Sequence, residues 1–131
     1  RREDFGLVLE RCLLARNPAA DDAARSKARN APLRAPLLVV VVASLREHPK
    51  VPAFEQRLSV GCAAHTVLLA AEACGYAGIW RTGDAAFDPC VAAALGLLAN
   101  EEIIGFLYLG SRDGSGKFIP QLNTADFVSS W

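Results

Sequence analysis

The sequence predicts an α/β domain in which helices cover a β-sheet, and three observations predict it. Segments of helical and strand-like character alternate along the chain. The run LLVVVVAS at Leu37–Ser44 is apolar on both faces and β-branched, the signature of a central strand covered on both sides. A long segment of helical period, residues 54–74, lies between that strand and the next. The 131 residues make one domain, 1–131. Their apolar fraction of 52% against 21% charged suits a folded core and argues against disorder.

The elements follow in order. Residues 2–16 place Phe5, Leu9, Cys12 and Leu13 on one face with charges opposite, an amphipathic helix that Asn17-Pro18 stops. Residues 21–30 are Ala-rich and polar, helix-compatible but without an apolar stripe, so they are expected at the surface or against a partner. Residues 45–52 carry charges, His48 and two prolines, and form a loop. The helix over 54–74 ends at Gly75, a left-handed cap. Residues 77–82, AGIWRT, are a short strand. Asp88 caps the next helix and Pro89 takes its first position. The small apolar residues 90–98 extend that helix into tight packing. EEIIGFLYLG over 101–110 is a third strand, followed by a Gly- and Ser-rich tail that ends in Phe127, Val128 and Trp131. Three strands make a thin sheet for this much helix, so a strand is expected from elsewhere. The chain also lacks methionine and opens on a helix, from which we expect an N-terminally truncated domain.

Fourteen basic and fourteen acidic residues cancel, leaving no electrostatic reason for a nucleic-acid or anionic-membrane partner. No apolar run is long enough for a bilayer helix. Cys12, Cys62, Cys74 and Cys90 show neither Cys-x-x-Cys nor zinc-site spacing; reduced, mostly buried thiols in a cytoplasmic protein are expected. Cys62 and His65 share one face of the long helix, but no third group orients them, and a buried helix with one satisfied histidine is the expectation. Gly114-Ser115-Gly116-Lys117 is half of a P-loop and lacks the rest.

Two segments carry candidate chemistry. Lys27 to Pro36 is a basic cluster entering a buried strand and could meet phosphate, although a solvated loop is the plainer reading. Gly78-Ile79-Trp80-Arg81-Thr82-Gly83 has glycines at both ends where backbone can approach a flat ligand. Within it Trp80 could cover a ring system, Arg81 could offset negative charge and Thr82 could donate a hydrogen bond.

Four stretches together resemble the nitroreductase superfamily, within it the small bacterial NAD(P)H nitroreductases. They are KARNAPLRAPLLVVVVA at 27–43, HPKVPAFEQ at 48–56, GCAAHTVLLAAEACGYAGIWRTG at 61–83 and IIGFLYLG at 103–110, in family order and spacing. The resemblance implies an α+β, nitroreductase-like layered sheet flanked by helices. It implies a homodimer with FMN at the subunit interface, NAD(P)H as co-substrate and a small-molecule electron acceptor such as a nitroaromatic or quinone, reduced by ping-pong hydride transfer. It assigns FMN binding to Ile79, Trp80, Arg81 and Thr82, no catalytic residue and no metal. The family's N-terminal Arg-Arg-Ser segment, which holds the FMN phosphate, has no counterpart here, so the chain carries about one wall of the flavin site. A non-catalytic binding or dimerisation module on the same fold is the alternative; a hydrolase built on Cys62 and His65 ranks below both.

Overall fold

A computed structural model describes residues 1–114 and 118–131; most of the Gly-Ser-Gly-Lys run therefore lies outside the described residues. The elements are α1 (Arg2–Arg16), α2 (Asp22–Asn30), β1 (Leu37–Ser44), α3 (Ala53–Ala73), β2 (Tyr76–Arg81), α4 (Pro89–Ala94) and β3 (Glu101–Ser111). Short 3-10 turns occupy Ala31–Arg34, Asp84–Ala86 and Thr124–Asp126. Local chemistry sets the boundaries. Asp21 accepts from the Ala24 amide at 2.8 Å and starts α2. Asp88 accepts from the Cys90 amide at 2.9 Å and starts α4 behind Pro89. Gly75 turns the chain out of α3 with φ 84°, a conformation that favours glycine. The α4 helix is shorter than expected: it ends at Ala94, and Gly96 at φ 75° turns the chain before residues 97 and 98 can continue it.

The sheet has the order β1-β3-β2, with both neighbours antiparallel to β3, so the domain is α+β. This corrects one expectation. The apolar run in β1 is covered on both faces, with Leu38 and Val40 toward α1 and the opposite side toward α3. It is nevertheless an edge strand, and β3 is central. An apolar run reports covered faces and carries no information about which hydrogen-bonding edges are paired.

β3 also contains a bulge. Val41 pairs with Gly105 and Val42 with Ile103, leaving Ile104 over. Strict alternation would send Ile103 and Phe106 to opposite faces; the extra residue puts both into the α1-side core with Cys12, Ala86 and Val91. Phe5 of α1 meets Phe106 there, ring centroids 5.9 Å apart. On the other face, Arg57 of α3 grips Glu102 through two bonds of 2.7 and 2.6 Å.

α1 and α2 touch at backbone distance. A Cβ on Gly6 would collide with the Arg29 carbonyl of α2, main chain that cannot swing aside. Gly6→Ala is therefore expected to cost about 1–3 kcal/mol through overpacking, read as a lowered urea midpoint at unchanged slope. The same pair of helices is joined by Glu10, which is buried and accepts from Arg29 Nε at 2.7 Å and Arg25 Nε at 3.1 Å. Arg29, then Arg25, hold its carboxyl below the usual range against the opposing effect of burial. A lowered folded value means that this contribution is complete above the unfolded value of about 4.3 and is lost as pH falls through the folded one. Melting curves in an acid series should thus fall more steeply for the native chain than for Glu10→Gln; parallel curves would refute the assignment.

Two further expectations are corrected. α3 is not a buried helix in this chain: Ala64 is its one buried residue. Phe54, Leu58, Cys62, His65 and Leu69, which share a face at helical spacing, are all exposed, Phe54 by 66% and Leu69 by 56%. The cysteines are not four reduced, mostly buried thiols either. Cys12 and Cys90 form a disulfide between α1 and α4, and Cys62 and Cys74 are exposed.

Candidate functional site

A cavity of about 720 Å³ opens on the α1 side of the sheet, within the size range of ligand sites. Its apolar wall comes from Phe5, Leu9 and Leu13 of α1 with Phe106 of β3. Its polar wall comes from the three segments that converge where β2 ends. Lys27 arrives on α2, Arg34 on the 3-10 turn before β1, and Arg81 and Thr82 at the end of β2. The basic cluster that reads as a solvated loop is thus brought to the same cavity as the Trp-Arg-Thr segment.

Lys27, Arg34 and Arg81 have no carboxylate within 4.0 Å among the described residues. Tyr108 of β3 lines the same cavity, within reach of the charges of Arg34 and Arg81. Burial pushes its phenol up from the ordinary value, with Arg34 and Arg81 pulling the other way, so it is a protonated donor at neutral pH. Asp84 and Asp88 line the cavity as well, where Arg16 donates to Asp88 at 2.9 Å and to Asp84 at 3.4 Å. The cavity thus holds two kinds of charge, cations without a carboxylate within 4.0 Å among the described residues and one cation shared by two carboxylates.

Alternation along β2 separates the four residues expected to act together. Arg81 pairs with Phe106 and Ile79 with Tyr108, which places both on the α1 side. Arg81 lines the main cavity and a neighbouring one of about 380 Å³; Ile79 lines only the latter. Trp80 pairs with Leu107 and sends its indole to the α3 side. There the ring lies over Gly105, where a Cβ would leave it no room, and under Gly61 of α3. Its Nε1 donates to the Ile104 carbonyl at 3.4 Å, the bulged residue. Trp80 borders the cavity, but the face its ring would present to a ligand is engaged in packing α3 on the sheet. Gly83, with φ 62°, makes the turn after Thr82, while Gly78 has no Cβ because Leu68 and Leu109 occupy that space.

Lys27 and Arg34 belong to the basic cluster that the sequence offers for phosphate but that reads more plainly as a solvated loop, and Tyr108 is the lining residue that sequence reasoning leaves out. Tyr108 had no signal, because an alternating strand gives no hint of which residue lines a cavity. The donor set suits FMN: cations without counter-ions beside a neutral phenol accept a phosphate or the negatively charged edge of a reduced flavin, and the apolar wall accepts a flat ring system.

Comparison with known proteins bears on the family and the fold. The model of the "Nitroreductase family" matches residues 4–111. Two bacterial relatives share the name "Putative NAD(P)H nitroreductase". That of Escherichia coli (strain K12), YdjA, is 48% identical over 110 residues, covering 84% of this chain and 59% of its own length. That of Haemophilus influenzae is 32% identical over 105 residues, covering 79% and 57%. The chain thus spans less than two thirds of the relatives it matches. Among solved structures, a nitroreductase-like family protein from Bacillus cereus superposes with TM-score 0.75 at 16% identity, covering 98% of this chain and 66% of its own. A nitroreductase with bound FMN from Bacteroides fragilis superposes with TM-score 0.61 at 23% identity, covering 95% and 68%. At such identities these two likenesses speak for the fold.

Proposed function

Because the chain belongs to the nitroreductase family, we propose that it forms one wall of an FMN site in an oxidoreductase that passes electrons from NAD(P)H to a nitroaromatic or quinone-type acceptor. The single observation that carries this reading is the set of three cations, Lys27, Arg34 and Arg81, without carboxylate partners among the described residues, around a cavity with an aromatic and aliphatic back wall.

When bound, FMN supplies the redox chemistry, accepting hydride from NAD(P)H and returning electrons to the acceptor. The chain's own residues bind and tune. Arg81 and Arg34 would hold the negatively charged groups of FMN, and positive charge beside a reduced flavin favours reduction. Tyr108 would donate a hydrogen bond to it from a phenol that burial keeps protonated. Thr82 offers a hydroxyl at the cavity rim. Phe5, Leu9 and Phe106 exclude water from one side. No described residue is needed as nucleophile or general base, in keeping with a ping-pong scheme whose two half-reactions use one site in turn.

The proposal includes a homodimer. The exposed stripe on α3 and the exposed Phe127, Val128 and Trp131 of the tail are apolar surface of the kind that marks a protein–protein interface. None of the helices among the described residues is long and apolar enough to cross a membrane, and the proposal places the enzyme in the cytoplasm, where NAD(P)H is supplied.

The test is spectroscopic. Protein titrated with FMN should acquire a structured, shifted flavin absorbance and sediment as a dimer, and NADH or NADPH should bleach it. A dimer that stays colourless in excess FMN would overturn the flavin assignment and favour a binding module on the same fold. A coloured monomer would overturn the interface.

A further inference from the structure

The two sulfurs of the Cys12–Cys90 disulfide are unequally placed. Cys12 is 1% exposed within the core, whereas Cys90 is half-buried. Both cysteines line a surface depression of about 600 Å³, walled also by Ala15, Arg16, Asp84, Phe87, Asp88 and Pro89. Arg16 is paired there with Asp88 and Asp84, so the depression carries no excess positive charge. Access is therefore from one side, and chiefly to Cys90, the more exposed of the two residues.

The bond also spans two walls of the main cavity. α4 is only six residues long. It is anchored by the disulfide, by Val91 in the core, and by Asp88, which is 8% exposed and held by Arg16. The 3-10 turn Asp84–Ala86, which directly follows Arg81, Thr82 and Gly83, hangs on the same arginine through Asp84. Every one of these anchors ends on α1 or on the core beside it.

We propose that Cys12–Cys90 is a reversible thiol–disulfide exchange site for a low-molecular-weight thiol, and that its redox state sets how firmly residues 83–92 are pinned against the cavity. In the reductive direction the external thiolate attacks Cys90 Sγ and forms a mixed disulfide. The electron pair of the protein S–S bond departs on Cys12 Sγ, which takes a proton from water. A second thiolate then attacks the external sulfur of the mixed disulfide, giving one small-molecule disulfide and releasing Cys90 as a thiolate, which takes its proton from water. The protein gains two electrons and two protons, and two thiols are oxidised to one disulfide; the oxidised small-molecule disulfide drives the reverse. In a reducing compartment a disulfide of this kind is a responsive element and not a permanent staple.

This inference is independent of what fills the cavity, and its test uses no flavin. The full chain is equilibrated in buffers of graded reduced and oxidised glutathione, alkylated and weighed intact. Two alkylated thiols are expected in oxidising buffer, Cys62 and Cys74, and four in reducing buffer, with the change reversing when the buffer is exchanged. Hydrogen exchange of the amides of residues 86–92 should be at least about tenfold faster in the reduced protein. Cys12→Ser should trap glutathione on Cys90, and Cys90→Ser should trap little on Cys12. The Cys62→Ser/Cys74→Ser double variant, which leaves the bond intact, should respond as the parent does. Four thiols at every ratio, two at every ratio, or equal exchange rates in both states would overturn the proposal, as would preferential trapping on Cys12.

Discussion

Reduction of the Cys12–Cys90 bond is expected to lower stability by about 4 kcal/mol, the largest effect that a single covalent change in this chain should produce. The bond closes a loop between residues 78 apart in sequence, and the entropy removed from the unfolded chain grows with the logarithm of that length. For a domain of this size the loss corresponds to a melting temperature lower by roughly 10–20 °C. Calorimetry with and without a phosphine reductant measures it, with Cys12→Ser/Cys90→Ser as the permanent equivalent. Native-state anchoring through Val91 and the Arg16–Asp88 pair should persist in the reduced form, so the domain should still melt cooperatively. A difference under about 1 kcal/mol would mean that the bond is strained or that the reduced chain retains the same constraint in its unfolded state. Replacing the exposed Cys62 and Cys74 with serine should leave the melting temperature nearly unchanged.

Replacing Arg81 with alanine should raise the FMN dissociation constant by about ten- to a hundredfold. One charge-assisted hydrogen bond contributes roughly 1.5–3 kcal/mol, and every 1.4 kcal/mol is a factor of ten in affinity. Arg81 is singled out because it reaches both cavities at the end of β2 and has no carboxylate partner among the described residues, so its removal strands no internal acid. Arg34→Ala should weaken binding in the same direction. Ile79→Ala should change it little, because Ile79 lines only the smaller cavity. Arg81→Lys keeps the charge but loses the planar fork, and should fall between. Fluorescence titration of FMN against each variant, with melting curves to exclude misfolding, decides the matter. Equal dissociation constants for native and Arg81→Ala protein would remove Arg81 from the flavin site.

How much of this was legible in the sequence depends on whether the signal is local. Asp88-Pro89, Gly75 and the β-branched run of β1 announce their elements because caps, left-handed glycines and strand propensity act within a few residues. Membership in the nitroreductase family was legible because its motifs are contiguous stretches. Strand order was not: the apolar faces of β1 are shared by edge and central strands alike. The Cys12–Cys90 pairing was not, because nothing near either cysteine encodes a partner on another helix. The site was half legible. GIWRTG marks the end of β2 as one unit, but a strand divides neighbours between two faces, so Arg81 looks into the cavity while the Trp80 ring packs beneath α3. Lys27 and Arg34 join Arg81 only through the folding of α2 and its following turn against α1.

The bulge at Ile104 makes β3 intolerant of changes in length. Deleting that one residue would restore an unbroken ladder, which in an ordinary strand is harmless. Here it would exchange the faces of residues 101–103 relative to 105–111. Glu102 would turn from its arginine on α3 into the core, and Ile103 would leave the core for the α3 side. Substitutions at Ile104 leave this parity alone; insertions and deletions do not. For drifting copies of this gene, the middle of β3 should accept new side chains far more readily than a gain or loss of one codon.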